Sequence, residues 1–254
     1  MNIKMIAVDL DGTLFRDDKT VSDRTNGALI KCRDKGIKVV YATARGDSAG
    51  RLAPSDLFDG YVRMNGAVAW ADDILIHSKC IPTVEARELL LAVDNAGMQI
   101  AAEVGGWHYT NFHVPEVWGP EFQNCYEIAD FNTLNVMAEK MYTYPRSEAE
   151  VELIKKHLPK ETYFIITRED NFTMIMHENA SKSSAVAALA EHWNIESTEI
   201  VAFGDDIIDI DMLQHCGIGV AMGNAIDEVK AVADYVCDTN ENDGIAKWIE
   251  ENVL

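Results

Sequence analysis

Paired cysteines are missing from this sequence. Its five cysteines, Cys32, Cys80, Cys125, Cys216 and Cys237, are odd in number, and no two stand at a CxxC spacing. That argues against a disulfide framework and a thiolate zinc clip, and it predicts reduced thiols in a cytoplasmic, reducing compartment. Long apolar runs are missing too. None approaches the roughly 20 residues of a membrane span, and no basic, apolar, small-residue series of the secretory kind opens the chain. Positive charge is scarce: 22 Lys and Arg stand against 42 Asp and Glu, a net charge of −20. Such a field repels a phosphate backbone and argues against nucleic acid as a partner. It repels a phosphorylated small molecule as well, so a site for one would need local positive charge from a cation or a well-placed Lys. The seven His form no HExxH, and there is no GxSxG, P-loop or GxGxxG. Ser183 and Ser184 have no evident base beside them in sequence.

What is present is an ordinary soluble composition, 48% hydrophobic and 25% charged over 254 residues. This length suffices for one large domain, or a core with a modest second one. Short apolar runs at 5–10, 37–43, 61–64, 199–203, 217–222 and 235–237 read as strands, with 37–43 buried by pattern. Between them lie helical patterns at 22–35, 48–52, 181–193, 209–215, from 225 onward and at 243–251, the first opened by Ser22 and closed by Gly36. Asn65-Gly66 signals a turn, with 68–70 as the return strand of a hairpin. The alternation predicts an α/β fold with a parallel sheet. The middle of the chain differs. Helical patterns at 84–96 and 148–157 flank strand-like pieces at 99–103, 107–111 and 141–144, and 163–167 with 172–176 suggest a closing hairpin. We therefore expect a core from residues 1–81 and 178–254, with an α+β insertion at 82–177.

In an open parallel sheet the carboxyl ends of the strands face the ligand crevice. Asp9 and Asp11, Thr43, and Asp205 with Asp206 and Asp209 all stand at such ends or just beyond them. Two carboxylates as close as Asp9 and Asp11 repel unless a cation lies between them or one keeps a proton. Magnesium suits oxygen ligands of this kind. Asp205 and Asp209, four apart, can face one way across a first helical turn. More ordinary readings exist for each group: a polar strand exit before Gly12, helix capping by the later Asp residues, and an N-cap at Thr43. Lys182 lies at the start of a helix, where a cation opposes the dipole, and either a functional role or a solvated side chain accounts for it.

Together these residues resemble the haloacid dehalogenase superfamily, and within it the Cof-type phosphatases with a large inserted cap. Asp9-Leu10-Asp11-Gly12-Thr13-Leu14 resembles the first family motif, Thr43 stands at the second, Lys182 at the third, and Gly204-Asp205 with Asp209 at the fourth. Asn65-Gly66-Ala67, residues 220–225 and Asn240 through Asp243-Gly244 are also similar to family segments. Three positions depart: Ile208 stands where the fourth motif usually has Asn, Asp206 where it has Gly, and Ser183 follows Lys182 where the third motif often has Gly.

The resemblance implies a Rossmann-like three-layer core with an α+β cap that selects the substrate. It implies a magnesium-dependent phosphatase acting on a small phosphorylated metabolite, with Asp9 as nucleophile and Asp11 as general acid and base. Thr43 and Lys182 would hold the phosphate, and Asp9, Asp11 (by its carbonyl), Asp205 and Asp209 would hold Mg2+. Asp206, Asn65 and Asn224 would lie near the substrate or behind these groups. A monomer is expected. A phosphomutase or phosphotransferase of the same superfamily remains open, as does a non-catalytic phospho-ligand regulator, which Ile208 alone suggests. His108 and His113, in an aromatic stretch of the insertion, would either touch the leaving group or pack the insertion's own core.

Overall fold

The computed structural model describes residues 2–54, 56–166 and 171–254. Chain order in its first part is β1 (Met5–Val8), α1 (Asp23–Asp34), β2 (Lys38–Ala42), α2 (Ser48–Leu52), β3 (Gly60–Arg63), β4 (Val68–Ala71) and β5 (Ile74–Ser78). The middle holds β6 (Ile81–Pro82), α3 (Arg87–Asn95), β7 (Ile100–Val104), β8 (Trp107–Thr110), α4 (Val114–Trp118), β9 (Tyr126–Ile128), β10 (Met137–Ala138), β11 (Lys140–Thr143), α5 (Glu148–His157), β12 (Thr162–Ile166) and β13 (Thr173–His177). The last part is α6 (Lys182–His192), β14 (Ile200–Gly204), α7 (Ile210–His215), β15 (Ile218–Ala221), α8 (Asp227–Lys230), β16 (Tyr235–Val236) and α9 (Gly244–Asn252). The chain forms two compact units: Met1–Ser78 with Ser181–Leu254, and Lys79–Ala180. These seams lie three residues outside the ones the sequence pattern suggests.

The first unit is built on an eight-stranded sheet in the order β16-β15-β14-β1-β2-β3-β4-β5. The first six are parallel, and β4 and β5 return antiparallel. Every residue of β1 is fully buried. A strand whose alternate side chains are all dry needs a layer on each face, which is the α/β sandwich of the Rossmann type. Helix α1 packs with α9, and α6 with α7. Helix α1 starts where Ser22 accepts the Thr25 N–H, and the chain leaves it through Gly36 at φ +81°. Strand β5, the edge of the sheet, falls outside the strands expected from the sequence; its first two residues are exposed, Ile74 at 55% and Leu75 at 44%, and Ile76 packs against the core. The turn before it is Asp72-Asp73, both at positive φ, a less obvious hairpin signal than Asn-Gly.

The second unit pairs β12-β13-β11-β7-β8-β9 in one sheet. Leu89, Leu90 and Val93 of α3 and Ile154 of α5 form a core with Ile100, Ala102, Met141 and Ile175. Expected and observed strands agree here to within a few residues. Thr167 of the expected closing hairpin lies outside the described residues. Strands β6, β9 and β10 and helix α4 are too short to show a period, and the expected helix at 84–96 begins only at Arg87.

A cluster of Ala101, Phe112, Val114 and Tyr142 gathers Trp118, Phe122 and Phe172. Register pairs His108 with Glu103 and Glu103 with Lys140, so a charged row crosses three strands. All three are buried. Lys140 Nζ lies 3.1 Å from Glu103 Oε2 and 5.6 to 5.9 Å from the rings of Trp118, Tyr142 and Phe172. His108 shares a 3.0 Å hydrogen bond with the Tyr142 hydroxyl and touches Trp118 and Phe122 edge-on, so it belongs to the unit's own interior. His113 instead bonds the Tyr126 hydroxyl at the exposed end of the same face. A buried ion pair contributes little over apolar residues of its size, but removing one partner strands the other charge. Glu103→Ala is therefore expected to cost about 3–5 kcal/mol in urea unfolding, and Glu103→Leu with Lys140→Met to recover most of it. A single-variant cost under about 1 kcal/mol would show that the pair is solvated.

Candidate active site

The register of the central strands decides where the acidic residues meet. Val8 stands beside Tyr41 on one side and Phe203 on the other. One or two residues later come Asp9, Thr43 and Asp205, on three adjacent strand ends. Asp9 extends the ladder by donating its N–H to Phe203 O at 3.0 Å. The chain then turns: the N–H groups of Leu14 and Phe15 donate to the carbonyls of Asp9 and Leu10, and Gly12 takes φ +76°. A Cβ at Gly12 would also strike the carboxylate of Asp205, so only Gly lets the loop come this close.

Lys182 is the first residue of α6, after Ser181, whose side chain accepts the Ser184 N–H. It is fully buried, and its Nζ donates to Asp9 Oδ1 at 2.6 Å and Asp209 Oδ1 at 2.5 Å. Two carboxylates offset the unfavourable helix dipole at this end. The other oxygen of Asp209 accepts the N–H groups of Asp205 and Asp206, at 3.0 and 3.1 Å. A Cβ on Gly204 would overlap the Asp209 side chain, which accounts for the Gly before Asp205. Asp205 Oδ1 accepts the Thr13 hydroxyl at 2.7 Å.

Oxygens of Asp9, Asp205 and Asp209 lie within 4.8 Å of one another. Burial pushes the Asp9 carboxyl up to about 8; Lys182 pulls against that rise, while Asp209 and Asp205 add to it. Burial also lifts Asp205 to about 6, against the Thr13 hydrogen bond. Lys182 is held well above the usual range: burial opposes its charge, but Asp9 and Asp209 prevail. One ammonium does not balance three carboxylates, and an all-oxygen donor set around a charge deficit fits a divalent cation.

Asp11 points elsewhere. Its carboxylate is gripped by the Arg45 guanidinium, whose Nη2 donates to Oδ1 at 2.7 Å, and by Lys19 Nζ at 2.8 Å. Burial works to raise this carboxyl, but Arg45 and Lys19 outweigh it and hold it below the usual range. Neither cation is among the expected site residues. The signal was the acidic surface itself, which demands positive charge at a phosphate site, with Arg45 two residues after Thr43 as the nearest supplier. Thr13 was likewise passed over inside the first motif.

Thr43 is buried, and its hydroxyl accepts the Arg45 N–H at 3.1 Å; it does not cap a helix, since α2 begins at Ser48 with Asp47 at the N-cap position. The turn after β3 holds this loop. Asn65 donates its N–H to Thr43 O at 2.9 Å and Met64 to Arg45 O at 3.0 Å. Gly66, at φ +97°, lies so close to Ser181 that any Cβ would overlap its backbone. Asn224 donates to Gly12 O at 2.7 Å and accepts the Asn240 N–H at 3.0 Å, bracing the first loop from behind. Asp206 is exposed and accepts the Ile207 N–H at 2.6 Å. Ile208, in the place where a substrate-facing Asn was expected, is half-buried.

The sequence profile of the haloacid dehalogenase-like hydrolases matches residues 6–249. The chain is 34% identical to 5-amino-6-(5-phospho-D-ribitylamino)uracil phosphatase YcsE of Bacillus subtilis, over all of this chain and 97% of that one. It is 26% identical to a phosphoglycolate phosphatase of Methanobrevibacter smithii, with all of both chains covered. Among solved structures it is similar to the phosphatase BT1666 of Bacteroides thetaiotaomicron, with a TM-score of 0.82 at 29% identity, over 98% of this chain and 94% of the other. The sugar phosphatase BT4131 gives 0.78 at 26%, over 98% of both chains. The chain belongs to the haloacid dehalogenase-like hydrolases, in their Cof-type phosphatase branch. It is a phosphoric monoester hydrolase.

The raised carboxyls have a consequence for stability. Asp9 and Asp205 keep protons in the folded, metal-free chain that an unfolded carboxyl loses near its ordinary value of 3.8. The contribution is full below that value and is lost as pH rises toward 8, by up to about 1.4 kcal/mol per pH unit for each proton. The urea midpoint of the metal-free protein is expected to be lower at pH 7.5 than at pH 5, and a divalent cation should narrow the gap. A higher metal-free midpoint at pH 7.5 would contradict this.

Proposed function

We propose that the chain hydrolyses a small phosphorylated metabolite through a phosphoryl group carried on Asp9, with Mg2+ as its cation. The observation that supports this most is the fully buried Lys182 bridging Asp9 and Asp209. It orients one oxygen of Asp9 and leaves the other for attack. Asp9 would attack phosphorus in line as the ester oxygen departs. Asp11 would protonate that leaving oxygen and later take a proton from the water that cleaves the mixed anhydride. Arg45 and Lys19 hold the Asp11 carboxyl below its usual range, so as an ester enters Asp11 has to leave them and take a proton from solvent before it acts as the acid; we assign the two cations to holding it in reserve. Thr43 and Lys182 would hold the equatorial phosphoryl oxygens.

Both oxygens of Asp209 are already engaged. We therefore assign Mg2+ to Asp9, Asp205 and the carbonyl of Asp11, with Asp209 positioning Lys182 and the 205–206 backbone. When bound, Mg2+ offsets charge between the nucleophile and the phosphate. Asn65 and Asn224 act in this reading through the loops they brace, and Asp206 as a cap.

The relatives named above act on a ribitylamino-uracil phosphate, phosphoglycolate and a sugar phosphate, which supports a phosphorylated polyol, sugar or short acid as substrate. Selectivity we assign to the inserted unit. Unpaired cysteines support a cytoplasmic site of action, and the charge of −20 supports a protein without nucleic-acid partners.

Phosphate release from p-nitrophenyl phosphate and a panel of metabolite esters tests the reading. Release is expected to require Mg2+ and to fall by about three orders of magnitude or more in Asp9→Asn. Near-wild-type release by Asp9→Asn would sink the nucleophile, and transfer to a second alcohol without free phosphate would favour a mutase. Apparent Mg2+ affinity is expected to weaken by up to about tenfold per pH unit below 8, as Asp9 takes up a proton, and more steeply below 6, where Asp205 takes up another. A slope no steeper below 6 than above it would remove Asp205 from the ligand set.

A further inference from the structure

Asp11 is held in the way a bound acid would be held. The Arg45 guanidinium meets it fork to fork: Nε donates to Oδ2, and Nη2 donates to Oδ1 at 2.7 Å. Lys19 Nζ adds a third donor, to Oδ1 at 2.8 Å. Two parallel N–H bonds to one carboxylate are the geometry by which arginine recognises carboxylates. The group is also within reach of solvent. The side chains of Asp11, Arg45 and Lys19 are between 28 and 45% exposed, whereas those of Asp9 and Lys182 are buried.

Lys19 is placed there by its backbone. Residues 16–20 form a tight turn, in which Arg16 donates its N–H to Thr20 O and Lys19 its N–H to Arg16 O, each at 2.9 Å. Asp18 accepts both the N–H and the hydroxyl of Thr20. The Arg16 side chain and the Asp17 N–H tie the turn to Asp243 and Glu241. Lys19 takes φ +65°, a left-handed conformation that a residue with a Cβ disfavours. The turn thus spends backbone strain to return one ammonium to Asp11.

The reaction requires Asp11 to leave this grip. In an in-line displacement the ester oxygen departs on the side opposite Asp9. Asp11, which serves that oxygen, belongs to the leaving-group side, and so do the two cations that hold it. Lys182 and Thr43 already serve the phosphoryl oxygens. When Asp11 turns to the ester oxygen, Arg45 and Lys19 lose their carboxylate, and a neutral alcohol offers nothing in exchange. We propose that the substrate is a phosphorylated short-chain acid, whose own carboxylate takes the Arg45 fork and Lys19 from Asp11 and so frees Asp11 for the ester oxygen. The inference rests on the phosphatase reading above and narrows its substrate class. The acid stands only a few bonds from the ester oxygen, because Asp11 itself moves by no more than rotation of its side chain.

Two matched pairs of esters test this: 2-phosphoglycolate against 2-hydroxyethyl phosphate, and 3-phosphoglycerate against glycerol 3-phosphate. Each pair exchanges a carboxylate for a neutral CH2OH. Binding is read by calorimetry on full-length Asp9→Asn with Mg2+, and turnover as kcat/KM of the wild type. In at least one pair the acid is expected to bind and to turn over about tenfold better or more. Lys19→Met and Arg45→Met should each cut that ratio by about fivefold or more. A loosened loop would affect both members of a pair alike and leave the ratio unchanged. Equal handling of acid and neutral ester in both pairs would overturn the inference and assign the cations to the transferring phosphoryl group. Failure of both acids to bind or turn over, or a preference that survives intact in both variants, would overturn it as well. A binding preference for the acid without turnover of any ester, p-nitrophenyl phosphate included, would uphold the carboxylate site and overturn the phosphatase reading instead.

Discussion

One ammonium group holds the catalytic half of the molecule together. Lys182 sits in a dry pocket with a carboxylate on either side, and its charge works against the burial that raises the Asp9 carboxyl. Because Asp209 gives its second oxygen to the 205–206 backbone, the same contact fixes the loop after β14. Because Asp9 is anchored to β14 through its N–H, it fixes the end of β1 as well. Three segments distant in sequence are thus tied to one nitrogen, and the glycines at 12, 66 and 204 are the clearances that allow them to approach.

The site has two electrostatic compartments. Around Asp9 the carboxylates outnumber the cations and protonation is favoured; around Asp11, Arg45 and Lys19 reverse the balance. Neighbouring carboxyl groups on one short loop thereby acquire opposite tendencies, the usual way in which two residues of one type take different chemical tasks. The lower compartment asks for an added cation, and the upper one holds a base that is free only when its own cations find another anion.

Much of the sheet was legible because buried parallel strands leave unbroken β-branched and apolar runs, as at Lys38–Ala42 and Ile200–Gly204. Strand β5 was passed over although Ile74-Leu75-Ile76 is a run of this kind, since the run is only three residues long and its turn lacks glycine. The acidic positions could be read from their places at strand ends, and the structure brings Asp9, Asp205, Asp209 and Lys182 together. What the sequence could not carry was the division between the carboxylates. Whether Asp11 turns to Lys182 or to Arg45 depends on the path of the loop after Gly12, and that path is set by long-range contacts from Asp205 and Asn224. The aromatic stretch with His108 was ambiguous for a similar reason: only the pairing of β7, β8 and β11 puts that imidazole inside rather than outside.

The topology also has a temporal side. Strand β1 is the middle of the sheet, yet one of its two neighbours, β14, begins at Ile200. At ordinary rates of synthesis, about 5–20 residues per second, the ribosome needs roughly 10–40 s to deliver that neighbour after β1 is made. Throughout that interval one edge of an entirely apolar strand has no partner, and for most of it Asp9 has no lysine. The inserted unit, complete by Ala180, can fold while the first unit is still half a sheet. Assembly of the core is therefore a late, C-terminal event, and the newborn chain depends on its longest-range contacts last.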